Sequence, residues 1–464
     1  MRKRSQMGKP WVHDCMAGGL FWVFLFCFFG WGLPSGRAAP AESEEAGAAG
    51  AVSVAKSETE PVFVPRAELD LLGLMQVVWE RSAALQQEHL SVELARADAR
   101  QSRLWENPVL DAAVGTLPVG PTNPPDIERP LANMPNYSVG IGMHPDFARR
   151  GPRTQRADSL FRSAELHRKA AVRAQALLLL RKLGNLATAS LRLVADQHLA
   201  VQARGTLALA KERVRTGFGT PLDADRAEME LLRLEQQVIA DQGERLSLQA
   251  DCAEFVGAQC ASFVDDTDAR RFLSAWLARA DEVSSSFGFR PDVLALSEQV
   301  AASVSEGRLA WAQRVPDPTV RLGYMYDSFL VSGSQQNSLN VSLSFPLPLL
   351  DHGQAGVQAA EARARRFAEQ KRLLLEVAQA KTTSLRQALA LQKKRLSTLQ
   401  EQVVPRAQGI LRDVRRAFEA RAVPLTDLNQ AQRSLDELML QEAGALGDAF
   451  GLSADLIEEG VTHE

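Results

Sequence analysis

Residues 338–352 read SLNVSLSFPLPLLDH, and the reading of that stretch decides the fold. Leu339, Val341, Leu343 and Phe345 alternate with Ser338, Asn340, Ser342 and Ser344. A period of two, apolar on one face and small-polar on the other, is the signature of a strand. Pro346 and Pro348 end it, Asp351-His352-Gly353 turns the chain, and a run rich in Ala, Gln, Arg and Leu follows to about residue 420. A two-faced strand feeding a helix far longer than a globular core requires is an uncommon junction.

The junction occurs twice. Residues 136–144, NYSVGIGMH, put Tyr137, Val139, Ile141 and Met143 on one face and Ser138, Gly140 and Gly142 on the other. Gly151-Pro152 then opens a helical run to Thr216, roughly 95 Å at the α-helical rise. The break at 215–223 (RTGFGTPLD) turns the chain, and a helix returns from Ala224 to about Val256. Upstream, Leu71, Leu74, Val78, Leu85, Leu90 and Leu94 recur at helical spacing, predicting a helix from about Ala67 to Trp105. Asn107-Pro108 stops it, and Val109 to Leu117 is a weaker strand. Residues 118–135 form a Pro-rich loop.

The same order restarts at Arg290-Pro291-Asp292, which opens a helix closed by Asp317-Pro318. Val320, Leu322, Tyr324 and Tyr326 then alternate with Thr319, Arg321, Gly323 and Met325. The second long helix carries Pro405, which should bend it. It breaks at 419–427 (EARAVPLTD), and a last helix runs to about Gly447. Between the halves, Asp265, Asp266, Thr267 and Asp268 start a short amphipathic helix with Phe272, Ala275, Trp276 and Ala280.

The chain therefore divides into a signal peptide over 1–39, a flexible leader over 40–66 and two structural repeats. The first repeat, 67–289, has strands near 107–117 and 136–144 and a turn at 215–223. The second, 290–464, has strands near 318–327 and 338–346 and a turn at 419–427. The turns match each other: Gly217, Leu222, Asp223 and Ala227 align with Arg421, Thr426, Asp427 and Ala431. Pro221 and Pro424 are one position out of register. A period this long is duplication of a whole unit rather than a solenoid of small repeats.

The signal peptide rests on Arg2, Lys3, Arg4 and Lys9, an apolar run LFWVFLFCFF at 20–29, and a small-residue site ending at Ala39. The apolar run is shorter than the ~20 residues of a spanning helix. After cleavage only Cys252 and Cys260 remain of the 4 cysteines. An exported compartment permits a disulfide between them; two buried thiols is the other reading. Composition excludes little else. The 464 residues are 45% hydrophobic, with 6% aromatics and a formal charge of −3, a balance that argues against a nucleic-acid binder. No Gly-rich phosphate loop, paired metal motif or Ser/His/Asp or Cys/His constellation stands in the chain, and its histidines are scattered. The sequence calls for no enzyme, metal or cofactor.

Strands apolar on one face and small-polar on the other match the dyad pattern of outer-membrane barrels. Tyr137, Tyr324, Tyr326 and Phe345 lie where an interfacial aromatic band would be useful. About four strands cannot close a barrel, because an open edge in lipid leaves backbone groups unpaired. Oligomerisation is then required, and a trimer with about a dozen strands would close.

In this order, and duplicated, Asn107-Pro108, Asp317-Pro318, VSLSFPL leading to Asp351-His352-Gly353, Val404-Pro405-Arg406-Ala407, and the turns TGFGTPLDADRAE and EARAVPLTDLNQAQ resemble the TolC-like outer-membrane efflux protein family. The resemblance covers nearly the whole mature chain. It implies a mainly α protein with a small transmembrane β part: a homotrimer whose twelve-stranded barrel sits in the outer-membrane lipid of a Gram-negative bacterium and continues as a periplasmic α-helical tunnel. It further implies that the turns, with Gly217, Pro221, Asp223, Arg421, Pro424 and Asp427, form the periplasmic tip. There they would meet a periplasmic adaptor protein served by an inner-membrane pump. Family members commonly narrow the tip with acidic side chains, which makes Asp427 the pore-aperture candidate and Asp223 its repeat mate; helix capping is the other role open to both. Where the family usually has glycine at the second turn, this chain has Arg421, which questions the turn's geometry. Rival readings are a periplasmic coiled-coil adaptor or an envelope scaffold. The first needs one hairpin flanked by small β-domains, and the second has no use for two-faced strands.

Overall fold

A computed structural model describes residues 62–460 except 67, 83, 122–124, 126, 264, 285, 316 and 329–334. The expected signal peptide and most of the expected leader lie outside the described residues. The leader's last residues are not featureless: Val62–Phe63 (β1) pairs in parallel with Gln259–Cys260 (β4). Ala261 N–H donates to the Phe63 carbonyl at 2.8 Å.

The helix expected over 67–105 is two helices, Leu71–Arg81 (α1) and Ala84–Gln101 (α2). Asp70 caps α1, its carboxylate accepting from the Gly73 N–H at 2.7 Å. Ser82, extended at ψ 118°, breaks the run. The break lets Leu71, Leu74 and Val78 bury in the core while α2 follows another course. The helix also ends before Asn107-Pro108, because the carbonyls of Ser102, Arg103 and Leu104 find arginine donors instead. Arg153 reaches Ser102 and Leu104, each at 3.0 Å, and Arg150 reaches Arg103 at 2.8 Å.

Val109–Gly115 (β2), a short turn of helix Pro130–Asn133 (α3) and Asn136–Met143 (β3) lead into Phe147–Arg215 (α4). At 69 residues, α4 is about 100 Å long. It begins five residues before Pro152. A proline in the second turn forfeits one backbone bond, and ion pairs hold that end: Arg153 to Asp146 at 2.6 Å and Arg149 to Asp317 at 2.9 Å.

Pro221–Val256 (α5) returns along α4, and Asp266–Arg279 (α6) crosses it. A disulfide joins Cys252 at the end of α5 to Cys260 in β4. Pro291–Trp311 (α7) opens the second half. Thr319–Asp327 (β5) and Asn337–Ser344 (β6) follow. Gly353, at φ +79°, then admits the chain past the end of α7: a Cβ there would stand 2.1 Å from the Ala310 carbonyl oxygen.

Gln354–Thr398 (α8) runs into Val404–Glu419 (α9) through a π-helical turn, Leu399–Val403. Pro405 sits just beyond that turn and has no N–H for the carbonyl four residues back. The wider π turn is how the helix absorbs it. Leu425–Glu459 (α10) completes the chain. It does not stop near Gly447, which lies inside it against Thr188, where a Cβ would meet Oγ1 at 2.7 Å. Glycine there marks a close helix crossing rather than a helix end.

The main core gathers where α1, α6 and the last third of α10 pack on the middle of α4. Phe272, Trp276, Leu179, Leu180, Leu183 and Phe450 are buried there. A second apolar cluster, with Leu411, Phe418, Leu425 and Leu428, joins α9 to α10 near their turn. The main sheet has order β2-β3-β5-β6, antiparallel throughout. Its outer strands, β2 and β6, each have one partner. The architecture is mainly helical with a small sheet.

Candidate functional site

Register sorts the sheet into two chemically distinct faces. Leu110, Ile141, Leu322 and Val341 stand opposite one another, as do Ala112, Val139, Tyr324 and Leu339. This apolar face is exposed, Val341 at 73% and Leu110 at 74%. Tyr137 and Tyr326 stand opposite each other at the loop end, rings 6.4 Å apart. The Tyr324 hydroxyl donates to Asn337, and Tyr326 accepts from Gln336 at 2.6 Å. Phe345 lies one residue past β6, at the helix end, and is half exposed. An eight-residue strand spans about 26 Å, the height of an outer-membrane apolar band (about 25 Å).

The other face carries Gly140, Gly142 and Gly323, with Ser138, Ser342 and Asn340. Across it Arg321 of β5 donates to Asp111 of β2, spanning the intervening β3.

The two turns at the far ends of the long helices are built alike. Gly217 at φ +74° and Arg421 at φ +64° both take the left-handed conformation. The next amide donates back to Arg213 at 2.9 Å in the first turn and to Ala417 at 2.8 Å in the second. Arg421 therefore keeps the glycine-type geometry. Its guanidinium lies 3.5 Å from the centre of the Phe218 ring, in the first turn. Reciprocally, Arg213 of α4 lies 4.3 Å from the centre of the Phe418 ring of α9. Each turn is held by an arginine of the other hairpin.

Their aspartates differ. Asp223 closes a capping box on α5: Thr220 N–H donates to its carboxylate at 3.0 Å, and its own N–H donates to Thr220 Oγ1 at 3.3 Å. Hydrogen bonds from the Thr220 backbone and hydroxyl hold the Asp223 carboxyl below the usual range. Asp427 caps nothing. The N-cap of α10 is Pro424, which has no N–H to donate. Its side chain lies instead on a groove of about 1120 Å³ between α9 and α10, with Pro405, Ile410 and Gln430. Among the other turn residues, Pro221 is the first residue of α5.

Midway along the helices is a cluster that the sequence reading missed. Asp196 of α4, Glu230 and Asp241 of α5 and Asp436 of α10 are all buried, Asp196 at 2% exposure. Glu230 is met by Arg233 at 2.8 Å and Arg433 at 2.7 Å. Burial alone would raise its pKa, but these arginines hold it below the usual range. A side-chain hydrogen bond with Asp241 favours the protonated form of Asp196. Burial, then that bond, pushes Asp196 up to about 7. Burial lifts Asp436 to about 6 against the pull of Arg233 and Arg433. The available signal was an aspartate among Leu193, Leu199 and Ala200 on a helix; nothing local pairs it with α5 or α10. Among the described residues, no group of three or more His, Cys, Asp or Glu is placed to hold a metal ion.

No protein-family model matches the sequence, and no curated protein is significantly similar to it. Solved structures are similar. The crystal structure of CusC, studied for folding and transmembrane channel formation, superposes with a TM-score of 0.68 over 84% of this chain and 92% of that one, at 16% identity. The outer membrane protein VceC of Vibrio cholerae gives 0.65 over 84% and 95%, at 18% identity. The open state of the MtrE outer membrane channel of Neisseria gonorrhoeae gives 0.62 over 84% and 88%, at 17% identity. Likeness of this extent at such low identity speaks for architecture, and the chain has the fold of the TolC-like outer-membrane channel proteins.

Proposed function

We propose that the chain is a passive exit duct in the outer membrane of a Gram-negative bacterium, the channel component of a tripartite efflux or secretion system. One observation carries the reading: a four-stranded sheet with an exposed apolar face and two outer edges that each lack a partner. An apolar face this large is covered in a working protein, and strand edges in lipid must be paired. Three copies edge to edge meet both demands, with lipid against Val341, Leu322 and Ile141 and twelve strands in a closed ring. Tyr137, Tyr324 and Tyr326 at one end and Phe345 at the other take the two membrane interfaces. In this reading residues 67–289 and 290–464 are the two repeats of each protomer, and the long helices make a tunnel through the periplasm.

The turns around Gly217 and Arg421, with Pro221 and Pro424, are the tip that docks a periplasmic adaptor, and an inner-membrane transporter supplies the work. Asp427, free of any capping role, is the residue left to line the aperture, where a ring of carboxylates would favour cations. The disulfide suits an oxidising envelope compartment. No chemistry is assigned to the chain itself.

The test is electron microscopy and solution mass of the mature protein extracted in detergent. A three-fold tube about 100 Å or more long is expected. A soluble monomer or a solid helical rod overturns the duct and favours an adaptor or scaffold.

A further inference from the structure

The small-residue face of the sheet holds one feature that strand formation does not require. Arg321 stands between Gly142 of β3 and Ser342 of β6. Its side chain does not rise from the sheet but lies along it, over Gly140, to reach Asp111 two strands away. Gly140 is the slot: a Cβ there would stand 2.8 Å from Arg321 Nε, 3.2 Å from Nη2 and 3.3 Å from the Asp111 carboxylate. Apart from Asp327 at the loop end, the face's other strand residues are uncharged. One cation and one anion thus occupy the middle of a wall made mostly of Gly, Ala, Ser and Asn, with Val109, Thr319 and Met325 toward its ends.

We infer that Asp111 and Arg321 set the electrostatic character of the duct's lumen, Asp111 acting as a clamp that holds Arg321 flat and neutralised against the wall. The inference rests on the duct reading, in which this face surrounds the water path. Three clamped pairs per trimer add no net charge and leave the bore clear, so this level of the lumen favours cargo of neither sign. Releasing the clamp leaves three mobile guanidinium groups at one level of the lumen, and removing the arginine leaves three carboxylates. A large flexible cation laid in a glycine slot, rather than replaced by serine like its neighbours, is what a charge-balanced wall requires.

The experiment reads the local potential at that level, independently of any constriction at the tip. Ala113 lies on the same face as Asp111 and is exposed. Ala113→Cys trimers reconstituted in phospholipid vesicles are reacted with cationic and anionic methanethiosulfonate reagents, and the ratio of the two rates is measured. In the Asp111→Asn background the ratio should move about threefold toward the anionic reagent at 0.1 M salt. In the Arg321→Gln background it should move about threefold the other way, and the double variant should return to the starting value. Should Asp111→Asn fail to assemble, Arg321→Gln decides alone, because its shift has the opposite sign. Ratios unmoved, or moved in one direction by both changes, overturn the inference and leave the duct standing. A cysteine at position 113 that neither reagent reaches puts this face out of water, and both readings fall.

Discussion

Asp196 offers a sharp test of how the two halves are held together. It sits on α4 at 2% exposure, facing Asp241 of α5 and Asp436 of α10, with Arg233 and Arg433 already engaged by Glu230. Gln237 donates to one Asp241 oxygen at 2.9 Å; the other Asp241 oxygen and one of Asp436 have no hydrogen-bond partner. Opening the seam returns these carboxyls to water and to an ordinary pKa near 3.8, whereas closed Asp196 sits near 7. A raised carboxyl loses stability as pH rises, because the open state ionises first. The loss begins near pH 4 and is complete near pH 7. A displacement of this size integrates to about 4 kcal/mol for an isolated group. Of that, somewhat more than half falls between pH 5 and pH 8, so with Asp241 still present about 2 kcal/mol is expected over that interval. Asp196→Asn keeps a donor toward Asp241 and cannot ionise. Its advantage over the parent chain should therefore grow by about 2 kcal/mol from pH 5 to pH 8, a roughly 30-fold gain in protection. Amide hydrogen exchange along the middle of α10, corrected for the chemical rate at each pH, measures it. Parallel pH profiles would refute the raised Asp196 carboxyl. A variant weaker at every pH would mean that ionised Asp196 serves Arg233 or Arg433 instead.

Three further outcomes follow from single contacts. Val341→Pro removes a donor from β6 and should abolish trimers on gel filtration in detergent; normal trimers would count against the sheet edge as an assembly surface. Phe218→Leu removes the ring beneath Arg421 and should weaken the tip by about 1 kcal/mol, read as roughly fivefold faster tryptic cleavage after Arg421. Gly184→Ala would drive a Cβ to 1.9 Å from Phe450 Cε1. It should lower stability by about 1–3 kcal/mol in thermal unfolding, and Phe450→Leu in the same chain should restore part of the loss.

Much of this architecture is legible because strand and helix periods are local. Leu339, Val341 and Leu343 announce a two-faced strand within six residues, and the structure gives them one exposed face. Boundaries were less legible wherever a distant group decides them. Gly447 reads as the end of a helix, yet α10 continues to Glu459, because Gly447 is the residue that lets Thr188 of α4 approach. Pro152 reads as a helix start, yet Arg149 and Arg153 find Asp317 and Asp146 and carry the first turn further back. The acidic seam was illegible for the same reason. Asp196, Asp241 and Asp436 are 45 and 195 residues apart along the chain, and each alone is an unremarked polar residue on a helix. Only the packing of three helices brings them together.

Arg421 shows how two turns can differ in sequence without losing a shared shape. The first turn obtains its left-handed residue from Gly217, for which φ +74° carries no side-chain penalty. The second holds an arginine at φ +64°, a conformation that costs a non-glycine residue roughly 1 kcal/mol or more. The backbone bonds donated by the left-handed residue and by its two chain neighbours are nevertheless the same in both turns, so the cost is met elsewhere. The stack on Phe218 is of the right size to meet it, about 0.5–2 kcal/mol depending on how dry the contact is. The source of that energy lies in the other turn. A glycine turn is self-sufficient, whereas the Arg421 turn keeps its geometry only while Phe218 is beside it. The Arg213–Phe418 contact runs the opposite way between the same two hairpins. Pulling one hairpin end away from the other must therefore break both stacks.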